Sequence, residues 1–182
     1  MSTYKEIHGV KVQYRDSDAT AVIGDVWYNA STGLLKMYAG LGSWAAGGNL
    51  TTGRHYLAGF GTQTAAFAAG GHPSRTEVES YDGSSWTETT DINTARWGHG
   101  SNGTTALGMI YGGTPPTTGA TESWDESSWT EVADMSTARF NSAQSQSPTN
   151  TNVAAFVAGG NTYTTATEEW EVAVTASSFT SS

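Results

Sequence analysis

Tyr81-Asp82-Gly83-Ser84-Ser85-Trp86-Thr87-Glu88 returns as Trp124-Asp125-Glu126-Ser127-Ser128-Trp129-Thr130-Glu131, 43 residues further along the chain. A third mark, Trp44 in Leu41-Gly42-Ser43-Trp44, stands 42 residues before Trp86. A period in the low forties with one aromatic mark per unit signals an array of similar small units that bury their apolar faces against one another, as propeller blades do.

The unit extends on both sides of this string. Gly53-Arg54-His55-Tyr56, Ala95-Arg96-Trp97-Gly98 and Ala138-Arg139-Phe140-Asn141 place an Arg at spacings of 42 and 43. Each Arg follows a polar turn: Leu50-Thr51-Thr52, Ile92-Asn93-Thr94 or Met135-Ser136-Thr137. Next comes an apolar run ending in paired glycines: Gly70-Gly71, Gly112-Gly113 and Gly159-Gly160. Thr-Glu then opens a third strand at Thr76-Glu77, Thr121-Glu122 and Thr167-Glu168, and Tyr81, Trp124 or Trp170 closes it. A fourth strand starts at Trp86 or Trp129. Paired Gly ends a strand sharply and allows close backbone approach. Buried Trp between sheets is worth about 2–3 kcal/mol. Trp86, Trp129 and the three Gly pairs are therefore the expected unit cores. The Glu of Thr-Glu is expected to accept hydrogen bonds from turn amides.

Composition agrees with strands. Gly is 22 of 182 residues, charged residues are only 14 %, and no segment sustains an apolar spacing of 3.6. The net charge is −9. From residue 77 to 171 there are thirteen acids against Arg96 and Arg139, which argues against a nucleic-acid partner. There is no Cys, hence no disulfide or thiolate metal site. The first residues lack a secretory signal's apolar core, and no run of about 18 apolar residues predicts a membrane span. Asn29, Asn49 and Asn102 fit the glycosylation tripeptide, which matters only in a secreted eukaryotic protein.

Before the repeats, Val10, Val12 and Tyr14 alternate with Lys11 and Gln13 as in a half-buried strand. Residues 25–38 read as a β-hairpin that turns at Asn29-Ala30-Ser31-Thr32-Gly33. Residues 1–35 are thus an arm and hairpin for docking or oligomerisation. Repeats occupy 36–175, as a unit end at 36–50 and repeats at 51–93, 94–136 and 137–175. A Ser/Thr tail covers 176–182.

Gly-Gly after an apolar strand, with spaced aromatics, resembles the kelch repeat across residues 36–175. That resemblance implies four-stranded blades of a β-propeller. More narrowly, the chain resembles kelch-like virion proteins of marine tailed bacteriophages, especially those infecting cyanobacteria. In those, a segment like Gly24-Asp25-Val26-Trp27-Tyr28-Asn29-Ala30-Ser31-Thr32-Gly33 precedes the Trp and Thr-Ala-Arg repeats. The expectation is an all-β, non-enzymatic structural protein of a virion, at a tail, tail fibre or capsid surface. Its implied partners are other virion proteins, further copies of itself, and a host-surface glycan. A lectin-like module is the first rival, and a degenerate oxidase or glycosidase the second.

A closed propeller typically needs 4–8 blades. This chain has about three, and repeat 3 lacks a fourth strand after Trp170. Conversely, Tyr38 to Trp44 reads as the outer end of a blade without a beginning. Unpaired edges invite pairing, so Tyr38, Trp44 and Trp170 are expected at an oligomer closure. Two chains would give six blades and three would give nine.

Chemistry finds little purchase in the sequence. The kelch copper oxidase uses a Tyr crosslinked to Cys, and this chain has no Cys. His8, His55, His72 and His99 recur at no fixed repeat position, so no metal site or cofactor is expected. The pairs Glu77/Glu79, Asp125/Glu126 and Glu168/Glu169 recur with the repeat, which suits a scaffold or a solvated rim better than facing catalytic carboxyls. Asp16 and Asp18 lack further ligands for Ca²⁺. Arg54, Arg96 and Arg139 have two readings: a ring that binds acidic groups near the central channel, or bonds to a neighbouring blade's carboxylates and loop carbonyls. Trp97 and Tyr163 are candidates for stacking on sugars.

Overall fold

The computed structural model describes residues 13–17, 25–38, 42–145, 154–161 and 163–172. The strand residues Val10 and Val12, His8, Asp18 and the tail at 176–182 lie outside these. Among the described residues every regular element is a β-strand. The chain divides into two compact units, Met1–Ala46 and Gly47–Ser182.

In the first unit, β1 (Gln13–Arg15), β2 (Val26–Asn29) and β3 (Leu34–Met37) form one sheet in that order. β2 and β3 make an antiparallel hairpin, whereas β1 joins β2 in parallel. The Asn29 side chain accepts the Thr32 amide hydrogen, and Gly33 turns with φ +71°. Lys36 and Met37 thus pair with Trp27 and Val26 rather than standing at the end of a repeat. Arg15 bridges the sheet through an ion pair to Asp25 at 2.8 Å and lies over the Trp27 ring.

The second unit holds three sheets. Sheet I comprises β4 (Ala58–Thr62), β5 (Ala65–Ala69), β6 (Val78–Tyr81) and β7 (Trp86–Thr89). Sheet II comprises β8 (Gly100–Gly103), β9 (Gly108–Tyr111), β10 (Thr121–Trp124) and β11 (Trp129–Val132). Sheet III comprises β12 (Ala143–Gln144), β13 (Ala154–Ala158) and β14 (Thr167–Glu171). All three are antiparallel meanders. Among the described residues sheet III has three strands, so β14 has no outer partner there.

Strand register sorts the side chains onto two faces. On sheet I the front carries Phe60, Phe67, Ala69 and Val78, and the back carries Ala66, Ala68, Tyr81 and Trp86. The front of sheet I packs on the back of sheet II: Phe60 meets Trp129 and Phe67 meets Trp124, with centroids 6.3 and 5.6 Å apart. Ile92 and Ile110 complete this core. The front of sheet II, Met109 and Tyr111, then packs on Ala155, Val157 and Trp170 of sheet III. The two indole N–H groups of the first core are satisfied, Trp129 donating to Thr90 O and Trp124 to Thr105 O.

The glycine pairs fit between successive sheets. A Cβ on Gly70 would stand 2.6 Å from the Arg96 carbonyl oxygen, and one on Gly112 would stand 2.5 Å from that of Arg139. Gly71 N–H and Gly113 N–H donate to the same two carbonyls. Both close approach and positive φ demand glycine there.

Candidate assembly surface

Each recurring Arg closes a clip inside its own repeat. Arg54 reaches Glu79 at 2.7 Å, Arg139 reaches Glu168 at 2.6 Å, and Arg96 pairs with Glu122. The guanidinium groups also donate to strand-end carbonyls: Arg54 to Ala68, Arg96 to Gly112 and Ala120, and Arg139 to Gly159 and Ala166. Glu79 further accepts the Thr51 amide hydrogen, Glu122 that of Asn93, and Glu168 those of Ser136 and Thr137. One ion pair therefore ties the turn before the first strand to the third strand. The Arg side chains are fully buried or nearly so, at 0 to 2 % exposure. Their carboxylate partners belong to the same sheet, not to a neighbouring one.

The structure also resets one alignment. Glu79, two residues before Tyr81, occupies the place of Glu122 before Trp124 and Glu168 before Trp170. Glu77 instead pairs with Arg75 at 2.6 Å. Counting back from the closing aromatic would have found Glu79, whereas matching Thr-Glu dipeptides leads to Glu77.

The Asp-x-Ser-Ser string makes the outer hairpin turn. Asp82 accepts from the amides of Ser84 and Ser85 at 2.8 Å, and Asp125 does the same with Ser127 and Ser128 at 3.0 and 2.9 Å. Serine hydroxyls add to both. This local satisfaction is the Asx-turn habit of Asp, and it sets Trp86 and Trp129 at the start of the following strand.

Glu79, Glu168, Asp82 and Asp125 titrate low for these reasons. In Glu79 and Glu168 burial acts first, upward, and is outweighed by the turn amides, serine or threonine hydrogen bonds and Arg partner together. Asp82 is lowered first by the Ser85 amide. Asp125 is lowered to about 2, first by the Ser127 hydroxyl. His99 is buried, and burial followed by the Arg96 charge lowers it from 6.5 to about 3, against a smaller opposing contribution from the Ala69 backbone. Every one of these groups binds fewer protons folded than unfolded, so stability rises with pH across each window. The carboxylate share is complete above the ordinary carboxylate range and drains as pH falls toward about 2. The His99 share is complete above 6.5 and drains toward 3. Chemical denaturation across this range is expected to show stability level near neutrality and declining from pH 6.5 downward, with His99→Leu removing the upper part of the decline. A maximum at mildly acidic pH would contradict the assignment.

The remaining predicted residues fall into two groups. Trp129 is 5 % exposed, and Trp170 packs partly buried against Met109 and Tyr111. Trp86 is half-buried and lies against Tyr81, with centroids 4.9 Å apart. Tyr38 and Trp44 belong to the first unit. Tyr38 is exposed, and Trp44 stands fully in solvent with no strand around it. A groove beside Trp170, lined by Met109, Tyr111, Met135, Ala155 and Val157, runs between sheets II and III.

One feature escaped the sequence reading. His55, Tyr56, His72, Trp97 and Phe140 form a continuous aromatic row, with neighbouring centroids 4.7 to 5.4 Å apart. Within it Tyr56, which touches both His55 and Trp97, is 55 % exposed. The signal was present, because the residue after each recurring Arg is aromatic: His55, Trp97, Phe140. Ser177-Ser178-Phe179-Thr180 likewise repeats the Ser-Ser-aromatic-Thr of 84–87 and 127–130, but lies outside the described residues. His55 pairs with His72 across an antiparallel bridge. Among the described residues no three His, Cys, Asp or Glu come together as metal ligands. No described helix is long and apolar enough to cross a membrane.

Comparison of the chain with protein-family models gives no match. Comparison with curated proteins gives none either.

Proposed function

We propose that the chain is a non-catalytic structural part of a bacteriophage virion, at a tail, tail fibre or capsid surface. Its three repeats are an arc of kelch-like propeller blades that closes with one or two further copies. The observation that carries this reading is the tandem stack itself: recurring internal Arg–Glu clips, apolar sheet-to-sheet contacts, and an exposed Phe156 on the outermost face of sheet III. The recurring acids and Arg residues are spent on clips and turns, as a scaffold requires. In the closed ring, Trp44 of one copy lies beside Trp170 of the next as Trp129 lies beside Trp124 at 5.4 Å. The exposed Tyr56 within the aromatic row supports a second role, stacking on host glycans.

Density-gradient-purified particles should contain the chain in fixed copy number by quantitative mass spectrometry. Recovery only from particle-free lysate would overturn the virion reading. Binding on a glycan array, lost with Tyr56→Ala, would favour the lectin role. If Phe179→Glu opens the Trp170 groove while Trp44→Glu leaves the assembly intact, the outer strand comes from the same chain.

A further inference from the structure

We infer that the front of sheet III, which no other sheet of Gly47–Ser182 faces among the described residues, seats on the back of sheet I of a second copy, likewise without a facing sheet there, continuing the stack head to tail. This rests on the assembly reading above, but not on where in a particle, or whether in a particle, the assembly works. The chain contains the same joint twice already, front of I on back of II and front of II on back of III. The two free faces are the halves of a third joint.

The residues match position by position. Phe156 occupies the register place of Phe67, opposite Glu169 as Phe67 is opposite Ser80. Its internal counterpart meets Trp124, so Phe156 would meet Tyr81 of the second copy. Phe156 is 43 % exposed, against 5 % for Phe67. Sizes also compensate. Gly108 lies under Phe60, where an added Cβ would stand 2.5 Å from the ring. At the free joint the same places hold Ala66 and Ser145, a larger residue facing a smaller one.

Backbone hydrogen bonds give an independent argument. Gly98 N–H donates to Tyr56 O and Asn141 N–H donates to Gly98 O, both at 2.8 Å. The next step of the series is Tyr56 N–H of a second copy to Asn141 O. In parallel, Gly71 and Gly113 donate to Arg96 and Arg139 carbonyls at 3.0 and 2.9 Å, so Gly160 would donate to Arg54 O of the second copy. A Cβ on Gly159 would meet nothing nearer than Thr164 O at 3.6 Å, whereas Gly70 and Gly112 are tightly clasped by the next repeat. Gly159 keeps the clasped conformation, φ +67°, without a clasp among the described residues.

Such a joint is heterologous: two different patches meet, and the contact closes into a ring or propagates. That yields a specific test. Phe156→Glu spoils the front of sheet III, and Ala66→Glu spoils the back of sheet I. Each variant alone is expected to be monomeric by analytical ultracentrifugation, with association weakened about tenfold or more. Mixed together, they keep one intact front and one intact back and should form a one-to-one dimer that grows no further. Glu169→Ala should tighten association, because Ser80 and Ser123 hold that place in the internal joints. Circular dichroism of each variant separates a lost joint from a lost fold. If a variant misfolds, Phe156→Ser and Ala66→Lys repeat the test. A wild-type chain that stays monomeric into the sub-millimolar range overturns the inference, as does a folded mixture that stays monomeric. Association with the chain absent from particles would spare the inference and overturn the virion reading.

Discussion

Arg96→Ala is expected to destabilise the protein by about 3–5 kcal/mol, since it strands a buried carboxylate. Glu122 is 2 % exposed, and without its partner it must either ionise in an apolar site or take up a proton. At about 2–4 °C per kcal/mol for a chain of this size, thermal unfolding should come roughly 6–20 °C earlier. Arg96→Met with Glu122→Leu should recover part of the loss by removing both charges. Recovery should stop short of wild type, because the Gly112 and Ala120 carbonyls and the Asn93 amide lose their partners, at about 1 kcal/mol each. Arg139→Ala should cost less than Arg96→Ala, as Glu168 is 21 % exposed and water can solvate it. Thermal denaturation at neutral pH reads all three variants. A loss below about 1 kcal/mol for Arg96→Ala would mean that the clip does not hold the repeat together.

Trp129→Ala should cost about 3–5 kcal/mol, the range for emptying a large aromatic site in a packed core. The side chain fills the joint between sheets I and II against Phe60 and Trp124, and its N–H is bound by Thr90 O. Trp86→Ala removes the same side chain from the same place in the preceding repeat. In the dissociated chain no third-sheet front covers it, so its cost should be clearly smaller. Urea unfolding of both variants under dilute conditions measures the difference. Equal losses would show that covering by the next sheet contributes nothing, and the head-to-tail stacking argument would lose its energetic basis.

The all-β class, the strand runs and their glycine ends were legible in the sequence because they rest on local chemistry repeated three times. Gly70-Gly71, Gly112-Gly113 and Gly159-Gly160 mark places where side chains cannot fit, whatever the surroundings. The Arg clip was only half legible. The recurrence of Arg54, Arg96 and Arg139 announced a per-repeat role, yet the partner depends on strand register, and one residue of register changes the face of a strand. Glu77 and Glu79 lie two residues apart, so alternation alone does not separate them, and the Thr-Glu match falls on Glu77. The aromatic row was missed because His55 and His72 meet only through strand pairing, and Trp97 and Phe140 join them only when successive repeats are laid side by side. Trp44 shows the opposite case: its sequence match to Trp86 is plain, but β3 ends at Met37 and no strand surrounds Trp44.

Among the described residues the ion pairs of the three sheets each close within one repeat, while the joints between repeats are made of apolar side chains, backbone groups and a few neutral polar side chains such as Ser101, Asn102 and Gln144. Such an arrangement tolerates changes in copy number. A tandem duplication of residues 94–136 would bring its own Arg, its own Glu and its own Asp turn, and would leave no ion unmatched on either side. Arc length can thus change by gene duplication without rewiring a single charge, and loop sequences can then diverge on an unchanged frame.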